Sequence, residues 1–153
     1  MVVFVVAFLV VYNRCAARRP PEADQCHRSE VRMNVATEQA VHGLATRLEV
    51  APLVRSLQDV LGQRLVAVIA GVNDAKAVGK WARGERSPHP DGERRLRDSF
   101  QIAQLMLQKE SAETVRAWFL GMNPGLDDQA PALALGERPD EVMQAARAFL
   151  ANG

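Results

Sequence analysis

The stretch GVNDAKAVGKWARGERSP, residues 71–88, decides how this chain is read. Gly71-Val72-Asn73-Asp74 has the composition of a tight turn. Asn73 or Asp74 can serve as the N-cap of a following helix, because a short side-chain oxygen satisfies one of its unpaired N–H groups. That helix is short, about residues 74–83, with Val78 and Trp81 as its i, i+3 apolar pair. Gly84 ends it, and ERSPHPDG forms a loop held by Pro88 and Pro90. Upstream, Leu65, Val66, Val68, Ile69 and Ala70 could make a strand by composition. The segment is short and its flanks are helical, so helix is the better reading. The outcome is helix, tight turn and helix, with a tryptophan late in the second helix.

Such a pair suits DNA recognition when the second helix can lie in the major groove and a buried aromatic anchors it to the bundle. Lys76, Lys80 and Arg83 recur at i, i+4 and i+7, which places three cations on one face, roughly opposite Val78 and Trp81. Arg86, Arg94, Arg95 and Arg97 follow in the loop and next helix, within reach of phosphates. The plainer alternative makes Val78 and Trp81 ordinary core and the cations a solvated face. Gly79 weakens the helix by about 1 kcal/mol.

Outward from this pair the chain keeps a helical period. Ala40, Val41, Leu44, Ala45 and Leu48 share one face. Pro52 fits the first turn of a helix that carries Leu53, Val54, Leu57, Val60 and Leu61 and stops at Gly62. Downstream, a long helix is expected from about Gly92 to Lys109, with Leu96, Phe100, Ile102, Ala103, Leu105, Met106 and Leu107. Ser111 caps a helix with Val115, Trp118, Phe119 and Leu120 that stops near Gly121. MNPGLDDQAP is rich in turn residues, PALAL allows one helical turn ended by Gly136, and Pro139 opens a last helix with Val142, Met143, Ala146, Phe149 and Leu150. The expected class is all-α, with seven or eight helices and no internal repeat.

Composition agrees. The 153 residues are 48% apolar and 24% charged, ordinary for a globular protein and unlike a disordered one. Two cysteines exclude a disulfide-dense scaffold. The net charge of +1 excludes a polycation but hides a gradient. Residues 62–110 hold nine Lys/Arg against six acids, net +3, and residues 111–153 hold three Arg against six acids, net −3. A basic middle and an acidic end suit two surfaces with two kinds of partner, unless they are scatter on solvated faces.

The first 32 residues differ from the rest. MVVFVVAFLVVY is too short for a membrane-spanning helix, which needs about 20 residues, and no basic residue precedes it as in a signal peptide. The polar stretch after it, with Pro20-Pro21, has no period. Residues 1–32 read either as an over-extended reading of the gene ahead of Met33, or as a disordered or weakly membrane-associated tail. Cys15, Cys26 and His27 lie there without a fourth ligand or regular spacing, so no zinc site is expected.

On these residues the chain resembles a known family. Gly71-Val72, Val78, Trp81, Gly84 and Pro88 resemble the core of an Xre-type helix-turn-helix, with one residue more than usual between Gly71 and Trp81. That extra residue leaves open which side chain faces a base. VRAWFLGMNPGLDDQAPALALGERPDEVMQAARAFLANG, residues 115–153, resembles the toxin-binding domain of the Xre/MbcA/ParS antitoxins, through Trp118, Asn123-Pro124, Leu126, Pro131, Leu133, Leu135, Gly136, Val142, Phe149 and Leu150. The family favours glycines after the position of Leu126, where Asp127-Asp128 stand here. The two resemblances, in this order, cover about residues 50–153.

The resemblance implies an antitoxin of a type II toxin–antitoxin pair. It implies that the C-terminal region binds a RES-domain toxin and blocks that toxin's NAD pocket. It further implies homodimerisation and repression of its own operon through operator DNA. The expected organisation is an extension over 1–32, a helix-turn-helix bundle over 33–110 and a toxin-binding domain over 111–153. Lys76, Lys80, Arg83 and Arg86 are the candidates for DNA. Phe149, Leu150, Asn152 and Gly153 are the candidates for the toxin, because a chain end can enter a cleft; packing on their own domain is the alternative for Phe149 and Leu150. Val78, Trp81, Gly84, Trp118, Asn123, Pro131 and Gly136 are expected to be structural. His27, His42 and His89 are scattered, and no phosphate-binding loop or dinucleotide fingerprint occurs. Enzymatic activity, a cofactor, a metal and a membrane are therefore not expected, and the location expected is cytoplasmic. Two other readings stay open: a stand-alone helix-turn-helix regulator, and an adaptor that does not bind DNA.

Overall fold

Glycines and caps set where the helices begin and end. In the computed structural model, which describes residues 39–43 and 48–152, residues 39–43 are helical and the first full helix, α1, spans Val50–Leu61. Gly62 then turns with a φ of 83°, and α2 (Gln63–Ala70) starts at once. Gly71 closes α2 in the left-handed region, and α3 (Ala75–Ala82) follows. The remaining helices are α4 (Pro90–Met106), α5 (Ala112–Leu120), α6 (Pro131–Ala134) and α7 (Pro139–Asn152). A 3-10 turn at Pro124–Leu126 lies between α5 and α6. Among the described residues there is no strand beyond one isolated bridge between Asn123 and Gln129, and the class is all-α. None of these helices is long and apolar enough to cross a membrane.

The stretch 65–70 is helical, as its length and flanks predict. The long helix starts earlier than expected. Pro90 is its first residue, where its missing N–H leaves no bond unmade. His89 is the N-cap, its ring accepting from Gly92 N at 3.4 Å. Histidine is a weak capping residue, so the sequence points instead to a loop through Pro90.

Residues 41–153 form one compact unit, and its core is continuous. Leu53, Val54, Leu57 and Leu61 of α1 face Val66 and Ile69 of α2 and Val78 and Trp81 of α3. Leu96, Phe100, Ala103 and Met106 carry this core along α4. Val115 and Phe119 of α5, Leu126, Leu135, and Val142 and Ala146 of α7 extend it. Each such large side chain contributes about 1.5–3 kcal/mol by leaving water. Packing therefore runs across position 110, and the core shows no break at the boundary expected there. The extension over 1–32, with Cys15, Cys26 and His27, lies outside the described residues, as do Met33 and Gly153.

Candidate functional site

The helix pair begins with a closed turn. Gly71, with a φ of 75°, ends α2, and its N–H donates to the Val68 carbonyl at 3.0 Å. Val72 N donates to the Ala67 carbonyl at 3.0 Å, which satisfies the last turn of α2. Of the two candidate caps, Asp74 is the one used: its carboxylate accepts from Lys76 N at 2.9 Å. Such a cap stabilises a helix by about 1 kcal/mol, which offsets the cost of Gly79.

Both ends of α3 are held from outside. Gln63 of α2 donates through Nε2 to the Ala75 carbonyl at 2.6 Å. Arg55 of α1 donates through Nη1 to the Ala82 carbonyl at 2.8 Å, a cation at the negative end of the helix. Between these ends Val78 is fully buried and Trp81 nearly so. Lys76, Lys80, Arg83 and Arg86 are all exposed. Arg83, however, forms a two-point ion pair with Glu85, through Nε to Oε1 and through Nη2 to Oε2 at 3.2 Å. That hydrogen bonding holds the Glu85 carboxyl below the usual carboxylate range. The three cations thus share a side of α3, but one of them has its charge locally balanced.

The arginines of α4 are less available than their sequence suggests. Arg97 donates to Glu93 at 2.6 Å and 3.0 Å and to the Leu48 carbonyl at 3.0 Å. Arg94 lies 3.7 Å from Asp91. Arg95 runs inward, and its Nε is buried with no hydrogen-bond partner. Gly84, with a φ of 74°, closes the end of α3.

The C-terminal segment is built around Trp118 and a knot at Asn123. Trp118 is nearly buried and meets Phe119 edge to face, with ring centroids 5.2 Å apart. The Phe149 ring lies 6.5 Å from that of Trp118, tilted by 54°. The Trp118 indole N–H is buried without a partner. Asn123 caps the 3-10 turn, accepting from Gly125 N at 2.9 Å, while its carbonyl accepts from Leu126 N at 2.9 Å and Asp128 N at 3.0 Å. Asp127 and Asp128 both hold left-handed backbone, with φ of 56° and 59°. Pro131 is buried at the first position of α6. Gly136 follows α6 and lies against the Arg95 guanidinium.

The toxin candidates at the chain end are partly placed. Phe149 is 36% exposed. Leu150 is half-buried against the core, and its carbonyl accepts from Lys109 Nζ at 3.4 Å. Asn152 is the last residue of α7; its side chain and Gly153 lie outside the described residues.

The structure adds an exposed apolar surface that the sequence did not single out. Leu120 is 60% exposed, Met122 80%, Leu133 57% and Val68 47%. Leu120, Leu133 and Val68 line an open groove with Leu61, Leu65 and Phe119, and Asp74 and Lys76 stand on its rim. Spacing carried the signal for Leu120: Val115, Trp118 and Phe119 complete an i, i+3, i+4 face, and position 120 falls off it. No protein family, curated protein or solved structure matches the chain.

Proposed function

We propose that this protein is an antitoxin that binds operator DNA through α3 and inhibits a NAD-consuming RES-domain toxin through residues 111–153. The observation that carries the DNA half is the division of α3. Val78 and Trp81 are buried and Lys76 and Lys80 are exposed, on a helix that follows a capped tight turn. Cations on a helix so presented neutralise phosphates and hold it in the major groove. A homodimer would place two such helices on half-sites about one DNA turn apart. The toxin half is supported by the resemblance of residues 115–153 to the toxin-binding domain and by the apolar surface this segment exposes. Leu120, Met122 and Leu133 are exposed large apolar side chains in this segment, with Phe149 partly so, and a partner could cover them.

Co-expression with a RES-domain protein encoded beside it tests the reading. A stable complex with cellular NAD spared, and a complex with promoter DNA that weakens steeply with salt, are the expected results. A neighbour that neither binds nor depletes NAD removes the toxin half and leaves a stand-alone DNA-binding regulator. DNA affinity that salt does not change removes the DNA half.

A further inference from the structure

The Arg95 side chain joins three segments that are distant in sequence. It rises from α4 and passes between two glycines. A Cβ placed on Gly136 would lie 3.2 Å from Arg95 Cζ, 3.4 Å from Nη2 and 3.5 Å from Nε. Three nearly equal distances mean that the flat face of the guanidinium covers Gly136. A Cβ placed on Gly71 would lie 2.7 Å from Arg95 Nη1, closer than any real contact of that kind. One edge of the guanidinium therefore points at the turn of the helix pair. The Nε is buried without a hydrogen-bond partner, so contact with the two backbones, and not an acid, fixes the group. Its charge also lies beside the C-terminal cap of α2 and the end of α6, where a cation is favoured.

The geometry points to Arg95 as a positioning residue that transmits the position of the C-terminal segment to the turn that aims α3. The guanidinium is planar and rigid, so its face over Gly136 and its Nη1 edge at Gly71 move together. A partner that shifts Gly136 displaces the guanidinium, whose Nη1 edge lies against the Gly71 turn. The amides of Gly71, Val72, Lys76 and Ala77, which bond to Val68, Ala67, the Asp74 side chain and the Asp74 carbonyl, then feel the change. The consequence for DNA recognition rests on the reading of α3 given above. The coupling itself does not, and it is measured without DNA or toxin.

The test is amide hydrogen exchange on the full chain in a double-mutant cycle. Gly136→Ala adds the one carbon that must push Arg95. It is expected to change exchange at residues 71–77 by about threefold or more, as well as at 133–139. In the Arg95→Met background the same substitution is expected to leave 71–77 unchanged. An effect confined to 133–139 overturns the proposal, and so does an effect at 71–77 that persists without Arg95. If Arg95→Met unfolds the chain, Arg95→Lys serves the same arm, because it keeps the charge and the stem and lacks the planar fork. If the cycle succeeds and promoter DNA still fails to bind, the coupling stands and the DNA reading falls.

Discussion

Arg138 Nη1 donates to Asp127 Oδ2 at 2.8 Å, across a loop whose two aspartates both hold left-handed backbone. The same guanidinium reaches the Leu126 carbonyl at 3.2 Å, Gln129 Oε1 at 2.8 Å and Glu141 Oε2 at 3.2 Å. Arg138 therefore closes the 3-10 turn onto the start of α7. L-residues pay about 1–2 kcal/mol in the left-handed region, aspartate less than most, and glycine does not. Glycines at these positions are also what the antitoxin resemblance leads one to expect.

Asp128→Gly should accordingly stabilise the fold by about 0.5–1 kcal/mol, since no ion pair joins Asp128 to another described residue. Asp127→Gly should gain less, because it also releases Arg138. Urea denaturation of the two variants measures both. Asp127→Gly more stable than Asp128→Gly would show that the Arg138 pair contributes nothing.

Asp98 gives stability a pH dependence. Burial pushes its carboxyl above the usual range, and Asp140 of α7 adds to the shift, while Arg94 and His42 oppose it. A raised folded pKa means the folded state holds the proton more tightly than the unfolded chain. The stabilisation is full below the unfolded value, about 3.9, and is lost as pH rises through the folded value. Asp98→Asn should therefore be more stable than the parent at pH 7, and the difference should vanish near pH 3. Asp140→Asn should recover part of the same gain. Denaturation midpoints across pH 3–8 decide it, and a gain that does not depend on pH would point to a packing effect instead.

Gly71 carries two separate constraints, a φ of 75° and the nearby Arg95 Nη1. Gly71→Ala should destabilise by about 1–2 kcal/mol from the backbone alone, with the crowding of Arg95 added. In the Arg95→Met background the added part should disappear and the backbone part remain. Identical losses in both backgrounds would mean that the guanidinium swings away at no cost.

The helices were legible because each has a local cause. Ser111, Asp74, Gly62, Gly71 and Pro131 mark ends through caps and backbone freedom that depend only on neighbours in sequence. The burial of Val78, Trp81 and Trp118 follows from spacing in the same way. Three other features depend on distant residues and were not legible. Arg95 reads as one of several surface cations until positions 71 and 136 meet around it. Arg83 reads as a free cation until the loop folds Glu85 back onto it. Leu133 reads only as part of a helical turn within PALAL, and its exposure is set by the packing of α6 on α2 and α5.

Salt dependence separates the cations of α3. Lys80→Ala should lower the slope of log affinity against log salt by about one unit on promoter DNA, and Lys76→Ala by about the same. Arg83 is already balanced by Glu85, so the pair Arg83→Ala with Glu85→Ala should leave the slope within a few tenths of its value. Affinities measured between about 50 and 200 mM salt give these slopes. If neither lysine changes the slope, α3 does not carry the phosphate contacts.

The chain end and the apolar groove compete for the role of inhibitory surface, and one pair of variants distinguishes them. Removing residues 149–153 takes away the half-exposed Phe149 ring and the Leu150 contact, yet leaves Val142 and Ala146 of α7 buried in the core. The truncated chain should therefore stay folded, with a melting temperature lowered by only a few degrees, about what 1 kcal/mol costs a domain of this size. If the chain end enters the toxin's cleft, this truncation should restore NAD loss on co-expression, and Phe149→Ala should weaken the complex about tenfold or more, as buried aromatic anchors do. Leu120→Lys places a charge in the groove, 60% exposed and away from the core. In that case it should leave both NAD and the complex unaffected. The reverse result, with NAD spared by the truncated chain and lost with Leu120→Lys, would move the contact from the tip of α7 to the groove between α2, α5 and α6. That groove borders Lys76, so a toxin seated there would stand against the first turn of α3 and would compete with DNA for it.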